Sequence, residues 1–203
     1  QLQQVRAADP HNLDAVLRLA SAHSALGHLA EADALFATAA EMAPASADVK
    51  IYRALHQARG TDWAQAIPVL EQAAREQPDR TPVTEALALI RERQGREAME
   101  AGRTPEALAA FEQARGLRGA AFRYDLELGV LYLSQRRLPE AAAALDRVPA
   151  NAPMYPMALF KRAQVSVLMQ APDAAARVAL ARAKADAMTR PLIASEKLFQ
   201  SYR

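Results

Sequence analysis

Between Phe122 and Pro153 the chain reads as two apolar stripes separated by a polar turn. Leu128, Leu131 and Leu138 flank an alanine-rich run from Glu140 to Val148. Both runs place apolar residues at i, i+3, i+4 and i+7, the period of an amphipathic helix. Gly129 falls inside the first run, where glycine costs roughly 1 kcal/mol against alanine. That cost is accounted for if a neighbouring helix must approach closely. Pro139 suits the first turn of the second run, where its missing N–H would be unpaired in any case. One such helix pair cannot bury its own apolar face, so the pattern demands copies stacked on both sides.

The copies are present. Pro10, Pro44, Pro78, Gly119 and Pro153 lie 34, 34, 41 and 34 residues apart. In the same phase Phe36, Leu70, Phe111 and Leu145 share one place, Ala32, Ala66, Ala107 and Ala141 a second, and Ala39, Ala73, Ala114 and Val148 a third. The 41-residue spacing leaves seven residues over, almost two helical turns or about 10 Å. That surplus predicts one continuous helix from Pro82 to Ala101, projecting past its neighbours. Thr81-Pro82 and Thr104-Pro105 each read as an N-cap followed by proline at the first helical position.

Leu128, Gly129, Tyr132, Ala141, Leu145, Val148 and Pro153, in that spacing, resemble the tetratricopeptide repeat, a helix–turn–helix unit of about 34 residues. The resemblance implies an all-α fold, a right-handed solenoid closed by a C-terminal capping helix. Residues 13–46, 47–80, 81–121, 122–154 and 155–186 are the repeats of a single solenoid spanning 1–203. Residues 1–12 are the end of an upstream repeat, with Gln1 to Ala8 as its second helix and Leu2 and Val5 as its packing residues. Residues 187–203 are the cap. The chain thus reads as a piece of a longer protein. Thr189 to Arg203 is expected as one helix, capped by Thr189, with Leu192, Ile193, Leu198 and Phe199 on one stripe.

Some places depart from the pattern. His23 stands where an aromatic residue is usual and is expected in the core. Arg53 and Gln57 occupy normally apolar places in the second repeat, and Pro68 should kink its second helix. In the fifth repeat either Arg162 or Ala163 could face the core. On the third repeat's first helix, Glu92 with Arg96 and Arg93 with Glu97 are spaced to pair at i,i+4.

Composition supports the helical reading. Of the residues, 51% are apolar but only 5% aromatic, and the apolar share is carried by alanine and leucine, both strong helix formers. The absence of cysteine excludes disulfides, thiolate metal sites and cysteine nucleophiles and leaves the compartment, cytoplasmic or periplasmic, open. No apolar run reaches the 18 residues of a membrane span. Arginine outnumbers lysine about five to one, which points to a bacterial source. The net charge of +2 is too small to indicate nucleic acid. It is unevenly spread: residues 1–100 carry 10 basic and 14 acidic side chains, residues 101–203 carry 15 and 9.

Candidate chemistry is sparse. No two of His11, His23, His28 and His56 have the spacing of a helical metal site. No serine sits in a nucleophile-elbow context. The seven glycines are all accounted for by repeat places, which leaves none for a phosphate loop. The chain is therefore expected to be non-catalytic, without cofactor or metal. What the resemblance implies instead is a concave groove lined by first helices. In the first repeat Leu17 and Ser21 would face it, with Asp14, Ser24 and Ala25. Ile51, Leu55 and Arg59 would do so in the second, and Arg123, Leu126, Val130 and Leu133, with Ser134, in the fourth. The two asparagines, Asn12 and Asn151, lie in inter-repeat turns, so the family's carboxylate clamp is absent. The fourth repeat's face is apolar instead, either as a contact surface or as added core.

These residues point to an interaction scaffold that holds a peptide or partner helix along the groove, or associates with a second copy. The alternative is the non-catalytic arm of a larger glycosyltransferase, sulfatase-like hydrolase or exopolysaccharide-export protein. A third option is an acidic polymer on the basic half.

Overall fold

The structure is a computed structural model and describes residues 12–202. Among them there are helices and no strand. The stretch Gln1 to Ala8, expected as a second helix, lies outside the described residues. The chain divides into two compact units, residues 1–93 and 94–203.

The first unit begins with α1 (Leu13–Ala25), whose N-cap Asn12 accepts a hydrogen bond from the Ala15 N–H at 2.9 Å. A turn with Gly27 at φ 79° leads to α2 (Leu29–Met42). Val16, Leu17, Leu19 and Ala20 pack there with Ala32, Leu35, Phe36 and Ala39. Next come α3 (Ala47–Gln57), capped by Ser46, and α4 (Trp63–Glu76), which runs through Pro68. The second repeat fills its core with Ile51, Ala54, Ala58, Leu70 and Ala73, while Arg53 is exposed and Gln57 half-buried. The misfit read at Arg53 and Gln57 is thus absorbed by their small neighbours. Arg80 ties to Asp48 at 3.3 Å, and Arg91 to Glu71.

The seven surplus residues do lengthen a first helix. α5 is one unbroken helix (Thr81–Glu100) of 20 residues, against 13 in α1 and 11 in α3. Its start corrects the capping expectation. The Arg80 carbonyl accepts from the Thr84 N–H, so Thr81 is already helical. The same holds for α6 (Thr104–Arg118), where Arg103 is the N-cap and Thr104 the first helical residue. In both, proline follows one place later than the pattern implied and still within the donor-poor first turn. Arg93, spaced to pair with Glu97, donates to the Gly60 carbonyl at 2.7 Å and lies over the Trp63 ring.

In the second unit α6 is followed by a short 3₁₀ turn (Gly119–Ala121), then by α7 (Asp125–Ser134) and α8 (Leu138–Leu145). α9 (Tyr155–Leu168) and α10 (Ala174–Ala183) form the next pair. Two of the three helical glycines, Gly95 and Gly129, mark close approaches. A Cβ on Gly95 would stand 2.7 Å from the Phe111 ring, and one on Gly129 would stand 2.6 Å from Leu145 Cγ. Ala163 is fully buried at the matching place in α9, which settles the register of that helix. Arg162 instead reaches Asp146 at 3.0 Å.

The C-terminal segment differs from expectation. α11 (Thr189–Ser195) ends at Glu196, whose extended backbone (ψ 111°) leads into a 3₁₀ turn (Lys197–Tyr202). Thr189 is buried and does not cap. The Asp186 carboxylate does so, accepting from the N–H groups of Met188 and Thr189 and from the Thr189 hydroxyl. Those three bonds hold the Asp186 carboxyl below the usual range. Ile193 and Phe199 are buried, Leu198 is partly buried and Leu192 is exposed, so the four do not form one stripe. Phe199 packs edge-on against Phe160, and the Arg182 guanidinium holds the Phe199 and Tyr202 carbonyls.

Candidate interaction face

The nine residues assigned to the groove separate into three depths. Leu17, Ile51 and Leu126 are 5%, 6% and 7% exposed and belong to the cores. Leu17 and Ile51 follow the first turn of their helices, and Leu126 lies within the first turn of α7. Ser21, Leu55 and Leu133 are half-buried, and the Ser21 hydroxyl is spent on the Leu17 carbonyl at 2.8 Å. Arg59, Arg123 and Val130 are exposed. On α7 the accessible apolar face is therefore Val130 and Leu133, an i,i+3 pair lying over a floor that contains Leu126.

The register fixed by Ala163 extends that face. Gly129 and Ala163 occupy one place in successive first helices, so Gln164 corresponds to Val130 and Val167 to Leu133. Both are half-buried, and α7 packs on α9. Gly95 sets the same register in α5, where Arg96 and Met99 take those places, both exposed. Sequence reasoning left Gln164 and Val167 out because α9 was ambiguous by one residue. The buried small residue is the signal that resolves it.

The paired charges lie beneath and beside this face. Asp125 is buried and receives Arg115 at 2.7 Å and Arg147 at 2.8 Å, which joins three helices or their flanking turns. Asp146 takes both Arg162 and Arg177 at 3.0 Å. The Arg177 hydrogen bond holds the Asp173 carboxyl below its usual range. Burial raises the Glu127 carboxyl. Tyr132 donates its hydroxyl to Glu112 at 2.7 Å under the Arg137 guanidinium. Burial first, then that bond and the Glu112 charge, push the phenol up to about 12.

One polar cluster has the residue types of a hydrolase. His56 is 6% exposed, with Nδ1 2.9 Å from Ser24 Oγ and Nε2 3.1 Å from Asp33. Ser24 is buried in the last turn of α1, and the nearby N–H groups of Leu26 and Gly27 are bonded to helix carbonyls. Neither of those two N–H groups is free to hold an oxyanion, and the cluster joins α3 to α1 and α2. His56 thus fills the buried role expected of His23, which is half-buried beside His28. Among the described residues no group of three or more histidine, aspartate or glutamate side chains is placed to hold a metal, and no helix is long and apolar enough to cross a membrane.

These features define a class: an all-α repeat scaffold of antiparallel helix pairs, with small residues at the close contacts. Two tetratricopeptide repeat models match the sequence, over residues 1–58 and 92–156, and the chain belongs to that family. Solved structures of the same fold include YrrB, described as a tetratricopeptide repeat protein with an unusual peptide-binding site. YrrB is 14% identical, with a TM-score of 0.60 over 97% of this chain and 98% of its own. MamA (AMB-1) is 15% identical, with a TM-score of 0.56 over 93% and 100%. PilF of Pseudomonas aeruginosa is 18% identical, with a TM-score of 0.53 over 99% and 85%. At these identities the likeness is one of fold. No curated protein sequence matches the chain.

Proposed function

We propose that the chain is a non-catalytic interaction scaffold whose first helices hold a peptide or partner helix, and that α7 supplies the principal contact. The observation that carries this reading is Val130, a β-branched residue left 37% exposed at the centre of a first helix. Half-buried Leu133 stands one turn on and Val167 in the matching place of α9. Apolar surface of this kind contributes roughly 1.5–3 kcal/mol per side chain when a partner buries it, before ordering costs. The family membership and the peptide-binding site named for YrrB support the same reading.

A selection of random displayed peptides on the whole chain tests it. Binders should be recovered, and they should lose at least tenfold in affinity on a Val130→Asp chain that melts like the parent. Binders indifferent to Val130→Asp would place the contact elsewhere.

A further inference from the structure

Resting on that reading, we propose that the partner is an acidic peptide, with carboxylates facing Arg96 and Arg123 and apolar side chains on Val130 and Leu133. The argument is one of charge complementarity. In the second unit the arginines that join helices are spent on carboxylates: Arg115 and Arg147 on Asp125, Arg162 and Arg177 on Asp146. Arg96 and Arg123 differ. Both are exposed, and among the described residues neither has a carboxylate, carbonyl or ring partner.

Their places are those of the face. Arg96 follows Gly95 as Val130 follows Gly129, and Arg123 precedes α7 by two residues. An exposed guanidinium without a partner keeps its full capacity for a bidentate carboxylate bond. Two acidic residues share these registers: Glu92, buried at the place of Leu126, and Glu100, exposed at the last position of α5. The face thus offers two cations, an apolar strip and one exposed anion at its end. A basic peptide would meet Arg96 and Arg123 as like charges, so the surface discriminates by repulsion as well as by attraction.

The same random peptide library on the whole chain supplies the test, with the net charge of the recovered peptides as its first readout. The expected result is a recovered set that is net negative and weakens as salt rises. Its affinity should fall about tenfold on a chain carrying Arg96→Glu and Arg123→Glu together. That variant alters two exposed side chains without partners, so its melting temperature should match the parent's.

Neutral or basic peptides that still require Val130 would overturn the acidic partner and leave the face standing as a binding surface. Peptides that ignore Val130→Asp would overturn both readings. Acidic peptides unaffected by the double charge reversal, or no recovered peptide at all, would likewise overturn the proposal.

Discussion

The two units solve one packing problem with different chemistry. Each must pack the two helices of a repeat across a seam of small residues. In the first unit the place next to the large second-helix residue is Ala20 opposite Phe36 and Ala54 opposite Leu70, and all four are buried. In the second unit that place is Gly95 against Phe111 and Gly129 against Leu145, with no room for a Cβ, and returns to a buried alanine, Ala163, in α9. Phenylalanine and leucine appear on both sides of the comparison. Side-chain size alone therefore does not demand glycine, and the local approach of the helices does. The polar ties differ as well. The first unit buries a histidine between a hydroxyl and an exposed carboxylate, whereas the second buries a carboxylate between two arginines.

Breaking these ties should give the largest contrast. Asp125→Ala leaves Arg115 and Arg147 without their shared anion. Both are partly exposed and can rehydrate, so the expected loss is about 3 kcal/mol, at the low end for a broken buried pair. His56→Leu removes hydrogen bonds from Ser24 and Asp33 but adds apolar contact beside Phe36, and should cost about 1 kcal/mol. Urea unfolding of the two variants measures the difference, and equal losses would erase the distinction between the units.

The seam comes next. Gly129→Ala gains about 1 kcal/mol of helix propensity but forces Leu145 to move, for a net loss of about 1–2 kcal/mol. Ala20→Gly in the first unit should lose about 1 kcal/mol through propensity alone. A stabilised Gly129→Ala chain in the same unfolding measurement would show that the seam can relax.

A smaller effect tests the turns. Gly27 and Gly102 take positive φ after their first helices, and Arg136 and Gln170 adopt φ 58° and 52° at the matching places. Arg136→Gly should therefore stabilise by about 0.5 kcal/mol, the left-handed strain relieved less the entropy of a freer unfolded chain. A raised melting temperature is the readout.

The least effect is confined to alkaline pH. The folded state raises the Tyr132 phenol from 10.0 to about 12, so it binds that proton more tightly than the unfolded chain does. The resulting stability is fully present below pH 10 and is lost as pH rises toward 12. Tyr132→Phe should flatten that part of the stability profile.

Much of this fold was legible in the sequence because repeats impose register. The spacing of Phe36, Leu70, Phe111 and Leu145 gave the helix pairs, and seven surplus residues gave the long α5. What escaped depended on neighbours. A first helix touches two flanking elements, so a period of 3.6 cannot separate Leu126, roofed by them, from Val130, left outside. His56 reads as a polar surface position until Ser24 and Asp33 come within reach of its ring. Nothing in Ser195-Glu196-Lys197 opposes a helix. The break there follows from the Glu196 carboxylate, which accepts from the Gln164 side chain and the Leu198 N–H. The threonine caps were misplaced by one residue because proline is tolerated throughout the first turn, not only at its first position.

The central claim is that α7 carries floor and contact surface on one helix, four residues apart. Leu126→Glu and Val130→Glu, each followed by thermal melting and by affinity for one selected peptide, test it directly. The account predicts that Leu126→Glu lowers the melting temperature by several degrees or more. It predicts that Val130→Glu leaves melting within a degree or so while weakening the peptide about tenfold or more. A Val130→Glu chain that binds the peptide undiminished, or a Leu126→Glu chain that melts like the parent, would contradict it.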